Sequence, residues 1–290
     1  MFPSVSTLDR LDSDPQTSFV ATTLITGGTG KTGHRIAELL TGRNRPIRIG
    51  SRTGHHRFDW NDQSTWGSAL DGCSSAYLAY APDLAFPGAP ELIGRFAKTA
   101  VAAGTSRLVL LSGRGDQGAQ HAEELVIDSG AEWTVVRCAF FAQNFSESTW
   151  VDAVRAGHFE LPGDTLEPIV DADDIAEVVV AALSADCHVG QLYELTGPRL
   201  LTFAQAVREI AEATNRDISF AEITGSEFAA GLRESGMPQE EAASLAELFS
   251  EILHGHNSYL SDGVRRALGR DPHDFSDYAR RTAETGIWNG

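Results

Sequence analysis

Between Thr26 and Gly33 the chain reads Thr-Gly-Gly-Thr-Gly-Lys-Thr-Gly, with Gly27, Gly30 and Gly33 at every third position. Backbone this bare of side chains can pass close to a pyrophosphate. A helix opening directly after it turns its unpaired N–H groups and positive dipole end toward the same anion. The three glycines have separate tasks: Gly27 turns sharply out of a strand, Gly30 lets the backbone approach the phosphates, and Gly33 lets helix and strand pack closely. Thr29, Lys31 and Thr32 can add side-chain contacts. Gly30-Lys31-Thr32 also looks like the end of a triphosphate-binding loop. That loop requires a glycine five residues before Gly30, where Ile25 stands, so the phosphate cage would be incomplete. The pattern favours a dinucleotide.

Which dinucleotide depends on the end of the second strand. An NAD site carries a carboxylate there, bonding the ribose hydroxyls. This chain has Gly50-Ser51-Arg52, and Ser51 and Arg52 suit a 2′-phosphate, Arg52 as a planar, permanently charged fork. NADP(H) is therefore the expected cofactor. Asp59 and Trp60 are placed to border the adenine. Ala81 and Pro82 after the fourth strand, Ser112 after the fifth and Phe141 after the sixth complete the expected cofactor contacts. The plainer alternatives are a merely tight turn, a solvated Arg52 and a core Trp60.

Proton donation is where the sequence departs from ordinary ketone reduction by short-chain dehydrogenases, which uses Tyr-x-x-x-Lys. The chain has two lysines, Lys31 and Lys98, with Gly27 and Gly94 four residues before them. A ketone becomes an alkoxide as hydride arrives, and a positioned acid is worth roughly 10²–10⁴-fold. An iminium ion becomes a neutral amine and needs no acid. A quinone or activated enone lies between, because its product anion is delocalised. Ser112, His121 and Tyr80 are the remaining candidate catalytic groups, although Ser112 also reads as a turn serine and His121 as a surface residue. Tyr80, Phe140, Phe141 and Asn144 are the candidate substrate pocket. His55-His56 and His254-x-His256 lack further ligands at metal-binding spacing, so no metal site is expected.

These residues need a scaffold, and the apolar pattern supplies one. Short strands at 22–26, 47–51, 57–59, 76–80, 107–112 and 132–137 alternate with helical stretches to about residue 40, at 89–103 and at 120–129. That alternation is the signature of a Rossmann fold, a doubly wound parallel α/β sheet. Asp171 can cap a helix with Asp174 three residues on. Residues 192–195 read as a strand, Thr202/Gln205 and Thr224/Glu227 form capping boxes, and Pro238 and Pro272 stand where new helices start. The expected organisation is a loosely attached arm over 1–20 and one domain over 21–290. Its mostly helical substrate lobe would come mainly from 145–170 and 190–290.

The 290 residues carry a formal net charge of −17, which repels phosphate backbones and sets nucleic acid aside as a partner. Three cysteines without a Cys-x-x-Cys pair argue against a disulfide framework. The first twenty residues have no apolar core, and no run is long enough to span a bilayer. The expectation is a cytoplasmic protein acting on a small molecule, away from membranes. Its oligomeric state is left open.

The glycine turn, Ser51-Arg52, FDWNDQSTW, FFAQNFSE, VDADDIAEV and LYELTGPRLLTFAQAV together resemble atypical short-chain dehydrogenases of the NmrA-like group. GMPQEEAASLAEL, LSDGVRRALGRDPHDF and the closing Trp288 resemble its branch of ergot-alkaloid (festuclavine and agroclavine) dehydrogenases. The resemblance spans roughly residues 20 to 288. It implies an NADPH-binding Rossmann fold with a small substrate lobe, and hydride transfer to an iminium carbon without a dedicated protein acid. It carries cofactor roles onto Gly27, Thr29, Gly30, Lys31, Thr32, Gly33, Ser51 and Arg52. The wider group also contains quinone reductases and redox-sensing regulators that bind cofactor without turnover, so a non-catalytic NADP(H) sensor is the alternative function. The N-terminal arm departs from the family pattern. Arg52→Ala is expected to weaken NADPH about ten- to hundredfold, the scale of a lost charged hydrogen bond, and to leave NADH unchanged in a fluorescence titration.

Overall fold

The computed structural model describes residues 22–290 apart from Pro82, Ala85, Thr149 and His254. The expected arm over 1–20, the cofactor contact expected of Pro82 and the first histidine of His254-x-His256 lie outside the described residues.

The first half alternates strand and helix. β1 (Thr22–Thr26), α1 (Gly33–Gly42), β2 (Ile47–Ser51) and β3 (His56–Arg57) run outward to one edge of the sheet. α2 (Trp66–Leu70) returns the chain to β4 (Cys73–Leu78) on the other side of β1. α3 (Ala89–Ala102), β5 (Arg107–Gly113), α4 (Gln117–Ile127) and β6 (Glu132–Cys138) continue in that direction. α5 (Trp150–Ala156), β7 (His158–Leu161) and α6 (Ala172–Ser184) precede β8 (Gln191–Leu195), the last strand of the main sheet. α7 (Phe203–Thr214), β9 (Ser219–Glu222), α8 (Gly225–Glu234), α9 (Gln239–Ile252), α10 (Gly263–Leu268) and α11 (Phe275–Glu284) complete the chain.

The main sheet has the order β3-β2-β1-β4-β5-β6-β8, and all its pairs are parallel. Its central strands are covered on both faces, which is why they read as apolar runs. On one face Leu24, Leu78, Leu108 and Leu110 pack with Leu92, Ile93 and Phe96 of α3 and Val126 of α4. On the other, Ile25, Tyr77, Val109 and Val136 pack with Ile36 and Leu40 of α1 and Ile175, Val178 and Val179 of α6. Strand order reverses between β1 and β4, and a ligand crevice opens beyond the carboxyl ends of the strands at such a reversal.

A second core joins Phe145, Phe159, Phe203, Ile210, Phe275, Tyr278 and Trp288. It is built around the two-stranded parallel sheet β7–β9, with α5 against β7, α7 against β9 and α11 against α7. Both capping boxes form, at Thr202/Gln205 and Thr224/Glu227. Pro238 is the N-cap of α9, and Pro272 precedes α11.

Some sequence expectations shift. Asp171 does cap α6, accepting from Asp173 N at 2.9 Å. Asp174 is instead fully buried and accepts from His273 N at 2.8 Å beside Arg270. The strand expected at 76–80 starts earlier and ends at Leu78, where its pairing with β5 ends. α4 begins three residues before the expected 120 because Asp116 caps the N–H groups of Gly118 and Ala119. Within 190–290, β8 belongs to the main sheet and Val264 of α10 packs in its core.

Trp288 ties the C-terminus to the second core. It is fully buried, and its Nε1 donates to the Phe145 carbonyl at 2.8 Å. Trp288→Ala is expected to cost about 3–5 kcal/mol in urea denaturation, through the cavity and the orphaned carbonyl.

Candidate functional site

The glycine turn is shaped by one close approach. Gly27 has φ +63°, and Gly30 N donates to the Gly27 carbonyl at 2.9 Å. A Cβ on Gly33 would lie 2.2 Å from that same carbonyl oxygen, so no other residue fits. Gly27, Thr29 and Gly30 are exposed on the rim. No side chain caps α1, and the His34 N–H donates to the Gly30 carbonyl at 3.2 Å. Thr32 was expected to offer its hydroxyl to phosphate. It is buried, with that hydroxyl 2.8 Å from the Tyr77 phenol. Bare glycine backbone, an open helix end and exposed donors together fit a pyrophosphate.

Arg35 braces this turn. It donates to the Lys31 carbonyl at 2.6 Å, to Asp173 at 2.7 Å and to Glu147 at 2.6 Å, joining α1 to α6 and to the segment after β6. At the end of β2, Ser51 is half-buried and Arg52 is exposed. Asp59 accepts from Asn61 N at 2.9 Å. Trp60 is half-buried among Phe58, Tyr80 and Phe96, and its Nε1 donates to the Ala79 carbonyl at 3.2 Å. The residues expected around adenine therefore form a wall continuous with the end of β4. Ala81 is exposed just past it.

Next to the turn, a cavity of about 330 Å³ opens at the carboxyl ends of β5 and β6. Lys31, Tyr80, Ser112, Phe140, Phe141 and Asn144, all singled out from sequence, line it together. Burial pulls the Lys31 ammonium below its ordinary pKa, and the Glu147 charge opposes that. Phe140 belongs to the aromatic cluster of the second core, 5.4 Å from Phe203, while Phe141 packs on the main-sheet core. His121 is not brought to the cavity. It sits half-exposed on α4, 3.5 Å from Glu124 and 4.0 Å from Glu91.

Three features escaped the sequence reading. Asn257, buried, reaches the cavity from far along the chain and packs against Gly115, whose φ is +75°. Arg114 lines it too, paired with Glu194 at 2.8 Å and stacked 3.9 Å from the Tyr259 ring. Ser112 donates to Glu123 at 2.5 Å, and Glu123 is held by Arg137. Glu123 and Arg137 left a readable signal, as charges on an otherwise apolar helix face and strand. Asn257 left none.

Among the described residues no group of three or more His, Cys, Asp or Glu is placed to hold a metal ion. None of their helices is long and apolar enough to cross a membrane.

No protein-family model matches the chain. It is 34% identical to agroclavine dehydrogenase of Claviceps fusiformis, over 89% of this chain and 96% of that protein. It is 30% identical to festuclavine dehydrogenase of Aspergillus fumigatus, over 90% and 97%. The chain belongs to the family of the agroclavine and festuclavine dehydrogenases. Its family makes it an oxidoreductase. In fold it is similar to an NADPH-dependent quinone oxidoreductase of Escherichia coli, with TM-score 0.74, 20% identity and coverage of 89% of this chain and 99% of that one.

Beside this site Glu167 is fully buried, and neither of its carboxylate oxygens has a hydrogen-bond partner. Burial pushes its pKa up to about 7 from an ordinary 4.5, against the pull of Arg114. The folded protein then holds a proton that the unfolded chain releases. The associated stability is complete below about pH 4.5 and is lost as pH rises through 7. Glu167→Gln removes this loss. The variant is expected to be more stable than wild type above pH 7, by on the order of 3 kcal/mol, with the gap closing toward pH 4.5 in urea melts.

Proposed function

We propose that the protein is an NADPH-dependent reductase acting on a small, largely apolar cyclic iminium or imine. The observation that carries this is the cavity itself. It adjoins the glycine turn, Phe140 and Phe141 help wall it, and the Ser112 proton is already given to Glu123. The lysines of the chain stand outside any Tyr-x-x-x-Lys pair. A substrate that ends as a neutral amine needs least from such a site.

In this reading the turn from Gly27 to Gly33 and the start of α1 hold the pyrophosphate, with Thr29 and Lys31 adding side-chain contacts. Ser51 and Arg52 hold the 2′-phosphate, Asp59 and Trp60 border the adenine, and Ser112 and Phe141 flank the reacting end. Bound NADPH supplies the hydride. Tyr80, Phe140 and Asn144 hold the substrate ring in a partly dry pocket, which excludes water from the reacting carbon. The agroclavine and festuclavine dehydrogenases support this assignment through their kinship. Tyr80 supports a second version, reduction of an activated enone or quinone, because a phenol at the cavity can protonate a delocalised product anion.

Loss of NADPH absorbance across a panel of cyclic iminium salts, quinones and simple ketones tests the proposal. Iminium salts are expected to react at least about a hundredfold faster than ketones of similar size, the scale of a missing general acid. Tight NADPH binding with no oxidation by any iminium salt or quinone would overturn it and favour the sensing alternative.

A further inference from the structure

β5, β6 and β8 pair so that Ser112 lies opposite Arg137, and Arg137 opposite Glu194. Parallel partners in register point their side chains to the same face. Glu123 of α4 joins this row. Ser112 donates to its Oε1 at 2.5 Å, Arg137 Nε donates to the same oxygen at 2.9 Å, and a second Arg137 nitrogen holds Oε2. Arg137 reaches on to Glu194 at 3.8 Å, and Glu194 pairs with Arg114. The row contains two arginines and two glutamates, so their formal charges cancel.

A serine hydroxyl has one proton and two lone pairs, while a carboxylate held by a guanidinium only accepts. The proton of Ser112 is therefore turned to Glu123. Ser112 is 4% exposed and Glu123 3%, so bulk water does not compete for that bond. Ser112 also lines the cavity, and with its proton committed to Glu123 its hydroxyl has only lone pairs left to offer there.

We propose that Ser112, oriented by Glu123, selects for positively charged substrates: it accepts from an iminium or ammonium N–H, or from the polarised C–H beside a cationic nitrogen, and rejects a carbonyl oxygen. Ser112 touches the substrate, and Glu123 is a positioning residue. The inference rests on the reductase reading for its choice of substrate class, but its physical basis is the Ser112–Glu123–Arg137 geometry.

Calorimetric titration of the NADP⁺-loaded protein with tetrahydroisoquinolinium, and with tetralone as its ketone counterpart, tests it. Ser112→Ala is expected to weaken the ammonium about ten- to hundredfold and to leave tetralone unchanged. In Glu123→Gln one amide oxygen faces three donors, which frees the serine proton to turn to the cavity. That variant should lose ammonium affinity and gain tetralone affinity, whereas a merely structural role for Glu123 would weaken both ligands. Unchanged ammonium affinity in Ser112→Ala, or an equal loss for both ligands, overturns the proposal. If Glu123→Gln does not fold, Ser112→Ala decides alone. Ser112-dependent ammonium preference without any iminium-driven NADPH oxidation would sink the reductase reading and sustain this one. Iminium reduction whose preference over ketone survives Ser112→Ala would do the reverse.

Discussion

The contact on which this molecule depends is between Gly33 and the carbonyl of Gly27, where a single added carbon would sit 2.2 Å from the oxygen. It lets α1 start directly against the end of β1. No side chain caps that helix, and an uncapped helix N-terminus suits an anion. Thr32, the residue at the cap position, instead points inward to Tyr77 and locks the turn to β4. Arg35, one turn later, carries the constraint outward to α6 and Glu147. A backbone collision avoided by glycine thus sets a helix, a strand and two loops around one opening.

The second constraint is electrostatic. Charged residues of α4 and of the carboxyl ends of β5, β6 and β8 are largely drawn out of water beside the cavity. Glu123 is held by hydrogen bonds from Arg137, and Glu194 is ion-paired with Arg114 at 2.8 Å. Groups buried this way tolerate little rearrangement, since removing one leaves the other unpaired in a medium of low dielectric. The row therefore holds Ser112 in one orientation. Glu167, buried without such a partner, is the exception, and its raised pKa records the cost.

The two cores meet at Phe140 and Phe141. Consecutive residues, they face opposite ways, one into the aromatic cluster around Phe203 and Trp150 and the other into the main-sheet core. Phe141 pairs with Val170, Ala142 N donates to the Val170 carbonyl at 2.8 Å, and Val170 N donates to the Phe140 carbonyl at 2.8 Å. The cavity lies at this seam, so its walls come from both cores at once.

Local chemistry was legible in the residues themselves. Glycine spacing marks a place where backbone must pass without side chains, apolar runs split by helices mark a parallel sheet, and Thr202/Gln205 and Thr224/Glu227 mark helix starts. These signals act over a few residues, so they survive without tertiary knowledge, and the shared lining of Lys31, Tyr80, Ser112, Phe140, Phe141 and Asn144 follows from strand ends alone. Distance along the chain hid the rest. Asn257 reaches the cavity only because the chain returns past Gly115. Thr32 faces Tyr77 only because β1 and β4 are neighbours. Asp174 serves Arg270 and His273 in place of its own helix end, and His121 falls on the outer face of α4. Type and spacing decide which groups a chain possesses. Which way a hydroxyl, a carboxylate or an imidazole points is decided by the partners that folding brings within hydrogen-bond reach.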